Sequence, residues 1–226
     1  MTLSVIMPVY NERDTILEIL RRVQAVEVEK QIIIVDNCST DGTREVLQQI
    51  HEENVTVVLQ PRNMLKGTSV RKGIELACGD FTIVQDADLE YDPQDYHKLL
   101  AAAAAEGADA ALGTRFADAA AAGGPVLHCF GRNRLNDLFR LLYGSRLTDV
   151  ATCYKLIRTE LLKSLKLRSV SFDLDYEIAA KLAKRRIRTV EVPIRYKPRT
   201  TAQGKKLRWS DGFAAAWCLM KYRFVD

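Results

Sequence analysis

The residues best suited to chemistry lie in FTIVQDADLEYDP (81–93), where a short apolar, strand-type run meets Asp86, Asp88, Glu90 and Asp92. On an extended chain, residues two apart point the same way, which sets the Asp86 and Asp88 carboxylates on one side with Cα atoms ~6.6–6.8 Å apart. They can then converge on one ion. Oxygen-only ligands suit a hard divalent cation, Mg²⁺ or Mn²⁺, which would also take oxygens from a diphosphate. Without that cation, four acids beside a phosphate would repel it; with it, a nucleoside-diphosphate leaving group is neutralised as the bond to it breaks. An Asp-x-Asp triplet alone is a common decoration of loops. Its place here, at the end of an apolar strand with Asp36 ending another, gives it weight.

The elements that must position these acids alternate along the chain. Short β-branched runs near 3–7, 31–35, 55–59, 81–85 and 109–113 are separated by helical patterns, the rhythm of βαβ units around a parallel sheet. The pattern near 12–24 puts Ile16, Leu17, Leu20 and Val23 on one helix face. Pro93 suits a helix start, and the helix carrying Leu99, Leu100 and Ala101 to Ala105 ends at Gly107. ADAAAAGGP (117–125) reads as a flexible loop. Beyond it the patterns predict a helix near 128–143, a strand at 153–157, a helix near 173–185, a strand around 188–196 and an amphipathic helix over 210–224.

Length and composition bound the rest. At 226 residues, with 47% hydrophobic and 27% charged side chains, the chain fits one large soluble domain with a full core. No apolar run reaches the ~18 residues of a membrane span, and a strand pattern begins at Leu3 without a basic leader, so the expected address is cytoplasmic. Five scattered cysteines without CxxC spacing suggest neither a disulfide framework nor a zinc site. Charge is divided unevenly: residues 1–126 hold 11 Lys/Arg against 20 Asp/Glu, and residues 127–226 hold 22 against 9. The second half suits phosphate ligands or an anionic surface, although solvated helix faces account for many of its charges.

In an open parallel sheet, ligands bind at the carboxyl ends of the strands. Here those ends carry Pro8-Val9-Tyr10-Asn11-Glu12, Asp36-Asn37-Cys38-Ser39-Thr40-Asp41-Gly42-Thr43 and Asp86-Ala87-Asp88, with no GxGxxG or GxxxxGK[ST] among them. Asp36 suits a base N–H or a ribose hydroxyl, while Ser39, Thr40 and Asp41 equally suit a turn or helix cap. Arg115 follows the fifth strand, where its guanidinium fork fits a phosphate or a surface ion pair. RTTAQGKK (199–206) joins a glycine to three cations, as an anion-gated lid or a solvated basic loop would. Lys66 and Gly67 open a helix whose N–H groups suit an anion or simple helix entry.

Together, MPVYNE (7–12), VDNCSTDGT (35–43), NMLKGTSVRKGIELACGD (63–80) and QDADLEYDP (85–93) resemble the family 2 glycosyltransferases with a GT-A fold. LGTRF (112–116), TDVATCYKLIR (148–158), EVPIRYKPRT (191–200) and GKKLRWSDG (204–212) are similar to the branch of dolichyl-phosphate mannose synthase and related polyprenyl-phosphate glycosyltransferases. The resemblance covers nearly the whole chain. It implies an α/β GT-A fold, a mainly parallel central sheet with helices on both faces. The single domain 1–226 would bind nucleotide sugar with residues 1–116 and acceptor with residues 117–226. It also implies inverting transfer of a hexose from a nucleotide sugar of the GDP-mannose or UDP-glucose type.

Carried over by position, Pro8, Tyr10, Glu12, Asp36 and Asn37 would line the nucleoside pocket, with Lys66 and Ala87 beside the donor. Asp86, Asp88 and Glu90 would serve the metal and diphosphate, Arg115, Arg199 and Lys205 the phosphates, and Asp149 and Lys155 the acceptor. The catalytic set would be Asp88, Arg115, Asp149, Lys155 and Arg199. Asn37 stands where many relatives carry a second aspartate and Glu90 replaces a common glutamine, which leaves GDP against UDP open. A lipid-phosphate acceptor is already ionised and needs no strong base; a hydroxyl acceptor needs a carboxylate, with Asp149, Asp173, Asp175 and Glu177 competing.

Three readings follow: transfer to polyprenyl phosphate, transfer to a soluble or protein hydroxyl, and a catalytically silent nucleotide-sugar-binding scaffold. Expected partners are the donor, a lipid phosphate at a membrane surface, and a membrane-anchoring protein or a second copy of the chain; nucleic acid is not expected. The final helix, with Phe213, Trp217, Leu219 and Met220 beside Lys221, Tyr222, Arg223 and Phe224, suits a membrane interface or the domain's own core.

Overall fold

The computed structural model describes the backbone of residues 1–115, 126–199 and 209–225, and the side chains of 1–115, 134–199 and 211–225. Strands β1 (Leu3–Val9), β2 (Lys30–Asp36), β3 (Val55–Leu59) and β4 (Phe81–Val84) lie parallel, and between them run helices α1 (Ile16–Gln24), α2 (Thr43–Leu47) and α3 (Lys66–Leu76). Leu3, Val5, Ile6, Met7 and Val9 are all buried, as are Ile32 to Val35. Strands covered on both faces need unbroken apolar runs rather than alternation, and the sequence supplies them.

α1 begins at Ile16, later than its pattern suggested, because Asn11 adopts a left-handed φ of 52° and residues 12–15 form a turn first. Its core face is Ile16, Ile19, Leu20 and Val23, the spacing of one helical stripe. Leu17, expected on that face, lies about a quarter turn away and is exposed.

The second half adds α4 (Tyr96–Glu106), β5 (Ala110–Thr114), α5 (Val126–Tyr143), β6 (Lys155–Arg158), α6 (Thr159–Ser164), α7 (Leu174–Lys184), β7 (Thr189–Pro193) and α8 (Trp209–Phe224). A 3-10 turn, Pro93–Asp95, leads into α4, and Gly107 ends it at a φ of +56°. The sheet order is β3-β2-β1-β4-β6-β5-β7, with β6 antiparallel to both β4 and β5 and the other strands mutually parallel. The chain therefore leaves six strands and enters the seventh at a single edge of the sheet.

Close approach explains Gly67 at the start of α3. A Cβ there would lie 2.6 Å from the carbonyl carbon of Val170 and 2.8 Å from the oxygen of Ser169. Thr68 N already donates to Val170 O at 3.3 Å, so helix entry is tied to the segment before α7. Gly67→Ala is expected to cost about 2 kcal/mol, since backbone cannot yield as a side chain does. Urea denaturation measures it, and an unchanged midpoint would contradict the packing described.

Candidate active site at the carboxyl edge of the sheet

β4 ends at Val84, so Asp86 and Asp88 stand in the turn that follows it. The two-residue alternation of an extended strand no longer applies, and the carboxylates turn to different cations. Asp86 Oδ1 meets Lys66 Nζ at 2.5 Å, and that ammonium also lies 5.5 Å from the centre of the Phe172 ring. Burial acts most strongly and would raise the Asp86 carboxyl, but the charge and hydrogen bond of Lys66, with Cys153 and Arg199, together outweigh it and hold the group below its ordinary value.

Asp88 Oδ2 accepts from Arg199 Nη2 at 2.8 Å, and the same guanidinium donates to both oxygens of Glu12, at 3.1 and 3.2 Å. The backbone N–H of Arg199 donates to Glu90 Oε1 at 2.7 Å. Three carboxylates thus close around one arginine. The cation does not balance them: burial, then Asp86 and Glu90, push Asp88 up to about 7. Arg199 Nε is buried without a hydrogen-bond partner.

The arm carrying Arg199 is laced to the acidic loop. Lys197 N donates to Glu90 O at 2.8 Å, Tyr196 Oη to Glu90 Oε2 at 2.8 Å and Arg195 N to Asp95 Oδ2 at 2.6 Å. Beneath the loop, Gln85 Oε1 accepts from the hydroxyls of Tyr96 and Tyr154, both at 2.6 Å, while Tyr91 stacks on Tyr154 with ring centres 4.6 Å apart. Thr15 Oγ1 lies 2.9 Å from both Glu12 Oε2 and the backbone oxygen of the buried Ala87, joining the loops after β1 and β4.

The remaining donor-side residues share this edge. Pro8 and Tyr10, at the end of β1, are partly exposed. Asp36 is fully buried; it accepts from Arg44 Nε at 2.8 Å and Ser39 N at 3.2 Å, and Arg44 also donates to Gln60 O. Asn37 donates to Asn63 Oδ1 at 2.9 Å and accepts from Met64 N at 2.7 Å. Asp36 and Asn37 therefore shape the loops beside them through bonds within the protein.

Arg115 and Asp149, read from the sequence as phosphate and acceptor groups, close on each other. Arg115 Nε and Nη2 each lie 2.7 Å from an Asp149 oxygen, and Arg115 N donates to the same carboxylate at 3.1 Å. Asp149 is fully buried, and Glu191 of β7 positions its turn by accepting from Thr148 N at 2.7 Å and Asp149 N at 3.0 Å. Asp149→Ala leaves a buried guanidinium uncompensated and is expected to cost about 3 kcal/mol. A loss under 1 kcal/mol in chemical denaturation would show the pair to be solvated.

Lys155, also buried, donates to Thr152 O and to Asp175 Oδ1, the latter at 3.1 Å. Glu177 is buried against Lys181 at 2.9 Å and accepts from Ser169 N at 2.7 Å, while Asp173 accepts from Ser171 N at 3.1 Å. Lys205 and the loop 117–125 lie outside the described residues. Sequence reasoning missed the grip of Glu12 on Arg199, the part of Glu191 and the tyrosine bed, all contacts between distant segments. Among the described residues, no three His, Cys, Asp or Glu side chains are grouped to hold a metal by themselves.

The model of glycosyl transferase family 2 matches residues 4–166, which include the acidic loop and the Arg115–Asp149 pair. This chain belongs to that family. It is 31% identical over 196 residues to glycosyltransferase AglJ of Haloferax volcanii, covering 86% of this chain and 63% of AglJ. To the dolichol-phosphate mannosyltransferase of Pyrococcus furiosus it is 29% identical over 216 residues, covering 91% of this chain and 59% of that protein. The chain thus spans less than two thirds of the length of these relatives. Among solved structures, the glucosyl-3-phosphoglycerate synthase of Mycobacterium tuberculosis, in complex with Mn²⁺, UDP and phosphoglyceric acid, superposes with a TM-score of 0.70 at 17% identity. The match covers 100% of this chain and 79% of that one. The fold is accordingly the α/β GT-A architecture with a mainly parallel sheet.

Proposed function

We propose that the chain is a metal-dependent, inverting glycosyltransferase domain that moves a hexose from a nucleoside-diphosphate sugar to a polyprenyl phosphate. The observation that carries this reading is the closure of three carboxylates on Arg199, Glu12 and Asp88 on its guanidinium and Glu90 on its backbone N–H, with Asp88 still raised to about 7. A crowded acidic site that one cation leaves unbalanced fits a divalent ion. Having only a few carboxylates fits Mg²⁺ or Mn²⁺ in particular, because such ions take the rest of their shell from substrate phosphates and water. Asp88 and Glu90 would hold it, with Asp86 adding charge from its pair with Lys66. When bound, the ion supplies Lewis-acid stabilisation of the departing diphosphate. The Mn²⁺ and UDP held by the M. tuberculosis synthase support that choice.

The chain's own residues do the positioning. The edge between β1 and β2, with Pro8, Tyr10, Asp36 and Asn37, receives the nucleoside, and Arg199 turns from the acids to the diphosphate once the donor enters. Lys66, beside Asp86, and Lys205 add positive charge toward the phosphates. Catalysis then rests on alignment behind the anomeric carbon and on charge stabilisation.

One feature favours a phosphate over a hydroxyl acceptor. Of the four carboxylates that the sequence offers as a base, Asp149, Asp175 and Glu177 are each paired with a cation, Arg115, Lys155 and Lys181, while the fourth, Asp173, accepts from Ser171 N at 3.1 Å at the start of α7. An ionised phosphate oxygen asks for no such base. Asp149 and Lys155 then fix the acceptor side through the Arg115 and Asp175 contacts. Incubation with radiolabelled GDP-mannose or UDP-glucose, Mn²⁺ and polyprenyl phosphate tests the reading by solvent extraction. Label in the lipid phase is expected; label only on a soluble hydroxyl, or no metal-dependent transfer from any nucleotide sugar, would replace it.

A further inference from the structure

Pairing of β4 with β1 ends in register at Val84, yet one ladder bond follows it: Gln85 N donates to Ile6 O at 2.9 Å. Past that bond, side chains take over from the sheet. Gln85 Nε2 donates to Asp86 O at 3.0 Å, and Thr15 Oγ1 lies 2.9 Å from Ala87 O. The carbonyls of the two residues before Asp88 are thus each met by a side chain. A peptide group is planar, so holding its oxygen fixes the plane and with it the direction in which the neighbouring side chains leave the backbone.

The amide of Gln85 has one orientation open to it. Burial pushes the hydroxyls of Tyr96 and Tyr154 well above the ordinary tyrosine value, so both stay protonated and act as donors. Each donates to Gln85 Oε1 at 2.6 Å, which occupies both lone pairs of that oxygen. The NH₂ group is left to face Asp86 O. All three side chains are fully buried, where the low local dielectric strengthens such bonds. Tyr96 opens α4, and Tyr154 directly precedes Lys155 at the start of β6. Two distant parts of the chain therefore converge on the peptide group that begins the acidic loop.

We infer that Gln85 is a positioning residue for the divalent ion. Its amide, aimed by the Tyr96 and Tyr154 hydroxyls, holds the Asp86 carbonyl, and through it the placement of Asp86 beside Lys66 and of Asp88 toward the ion. The inference rests on the metal-dependent reading given above, and Gln85 itself touches neither ion nor donor. Stability and metal affinity then depend on different bonds. Stability needs an acceptor for each buried hydroxyl, whereas affinity needs the bond to Asp86 O.

Two variants of the full chain separate these bonds. Gln85→Met keeps the length of the side chain and strands two buried hydroxyls; the melting temperature should fall by about 8 °C and Mn²⁺ affinity in calorimetry by about tenfold. Adding Tyr96→Phe and Tyr154→Phe removes the stranded hydroxyls and should restore most of the melting temperature. In that triple variant Mn²⁺ affinity should stay about tenfold down, and the amides of residues 87–90 should exchange hydrogen faster than in wild type when no metal is present. Return of wild-type Mn²⁺ affinity together with stability, or unchanged exchange across 87–90, would overturn the inference and leave Gln85 a core residue, whether or not Gln85→Met alone folds. Wild-type protein that binds no Mn²⁺ would instead remove the metal reading, and this inference with it.

Discussion

Asp88→Asn is expected to lower sugar transfer by on the order of a thousandfold, about 4 kcal/mol, while the fold survives. The amide keeps the shape of the side chain and can still meet Glu90 N, which donates to Asp88 Oδ1 at 3.1 Å. It removes the charge that a divalent ion needs most, at the group where burial and two neighbouring acids concentrate negative potential. Calorimetry with GDP and UDP, each with and without Mn²⁺, should show metal-enhanced binding in the wild type and none in the variant. Equal Mn²⁺-dependent affinity in both would refute the role given to Asp88.

The same substitution has a pH signature in metal-free protein. The folded Asp88 is raised from 3.8 to about 7. Between those values the folded state holds a proton that the unfolded chain has released, so stability falls as pH rises through the window. Asparagine has nothing to ionise. The variant should therefore gain on the wild type in thermal melts as pH climbs from about 4 to about 7, and parallel melting curves across that range would contradict the burial of the charge.

Arg199→Ala should move metal affinity and turnover in opposite directions. With the guanidinium gone, Glu12, Asp88 and Glu90 face one another with no cation between them, and metal-free protein should lose about 2 kcal/mol of stability. Divalent binding without donor should tighten, because the competing cation is absent, and saturating Mn²⁺ should restore most of the lost melting temperature. Transfer should fall by about a hundredfold or more, since one preorganised cation no longer meets the diphosphate. Weaker Mn²⁺ binding in the variant would mean that Arg199 holds the acids in place rather than competing for them.

Most of the fold was legible in the sequence because its strands are buried on both faces. LSVIMPV and QIIIVD can be little else in a chain of this composition, and Gly107 and Pro93 punctuate α4 where such residues should. The direction of β6 was not legible. Four residues, KLIR, form a strand in either sense, and only pairing with β4 and β5 decides between them. At the site, the identity of the acids could be read but their division of labour could not. Asp86 and Asp88 look like one ligand pair until β4 is seen to stop at Val84, after which Lys66 takes one and Arg199 the other. The grip of Glu12 on Arg199 spans 187 residues, and no local pattern announces it. Arg115 shows the same limit: a guanidinium at a strand end suits a phosphate and a carboxylate equally well, and the carboxylate it meets, Asp149, arrives from a separate part of the chain.

The reversed direction of β6 decides which parts of the sequence can be lengthened without touching the chemistry. Lys155 opens that strand beside Leu112, midway along β5, and Arg158 closes it beside Phe81, where β4 begins. Had β6 run with its neighbours, Lys155 would stand ~10 Å away at the other end of the sheet, with Asp149 and Thr152 trailing it. Extra residues spliced in between 147 and 154 would therefore rewrite the reacting edge. Those added just after Arg158, before α6, would emerge on the opposite side and leave it alone.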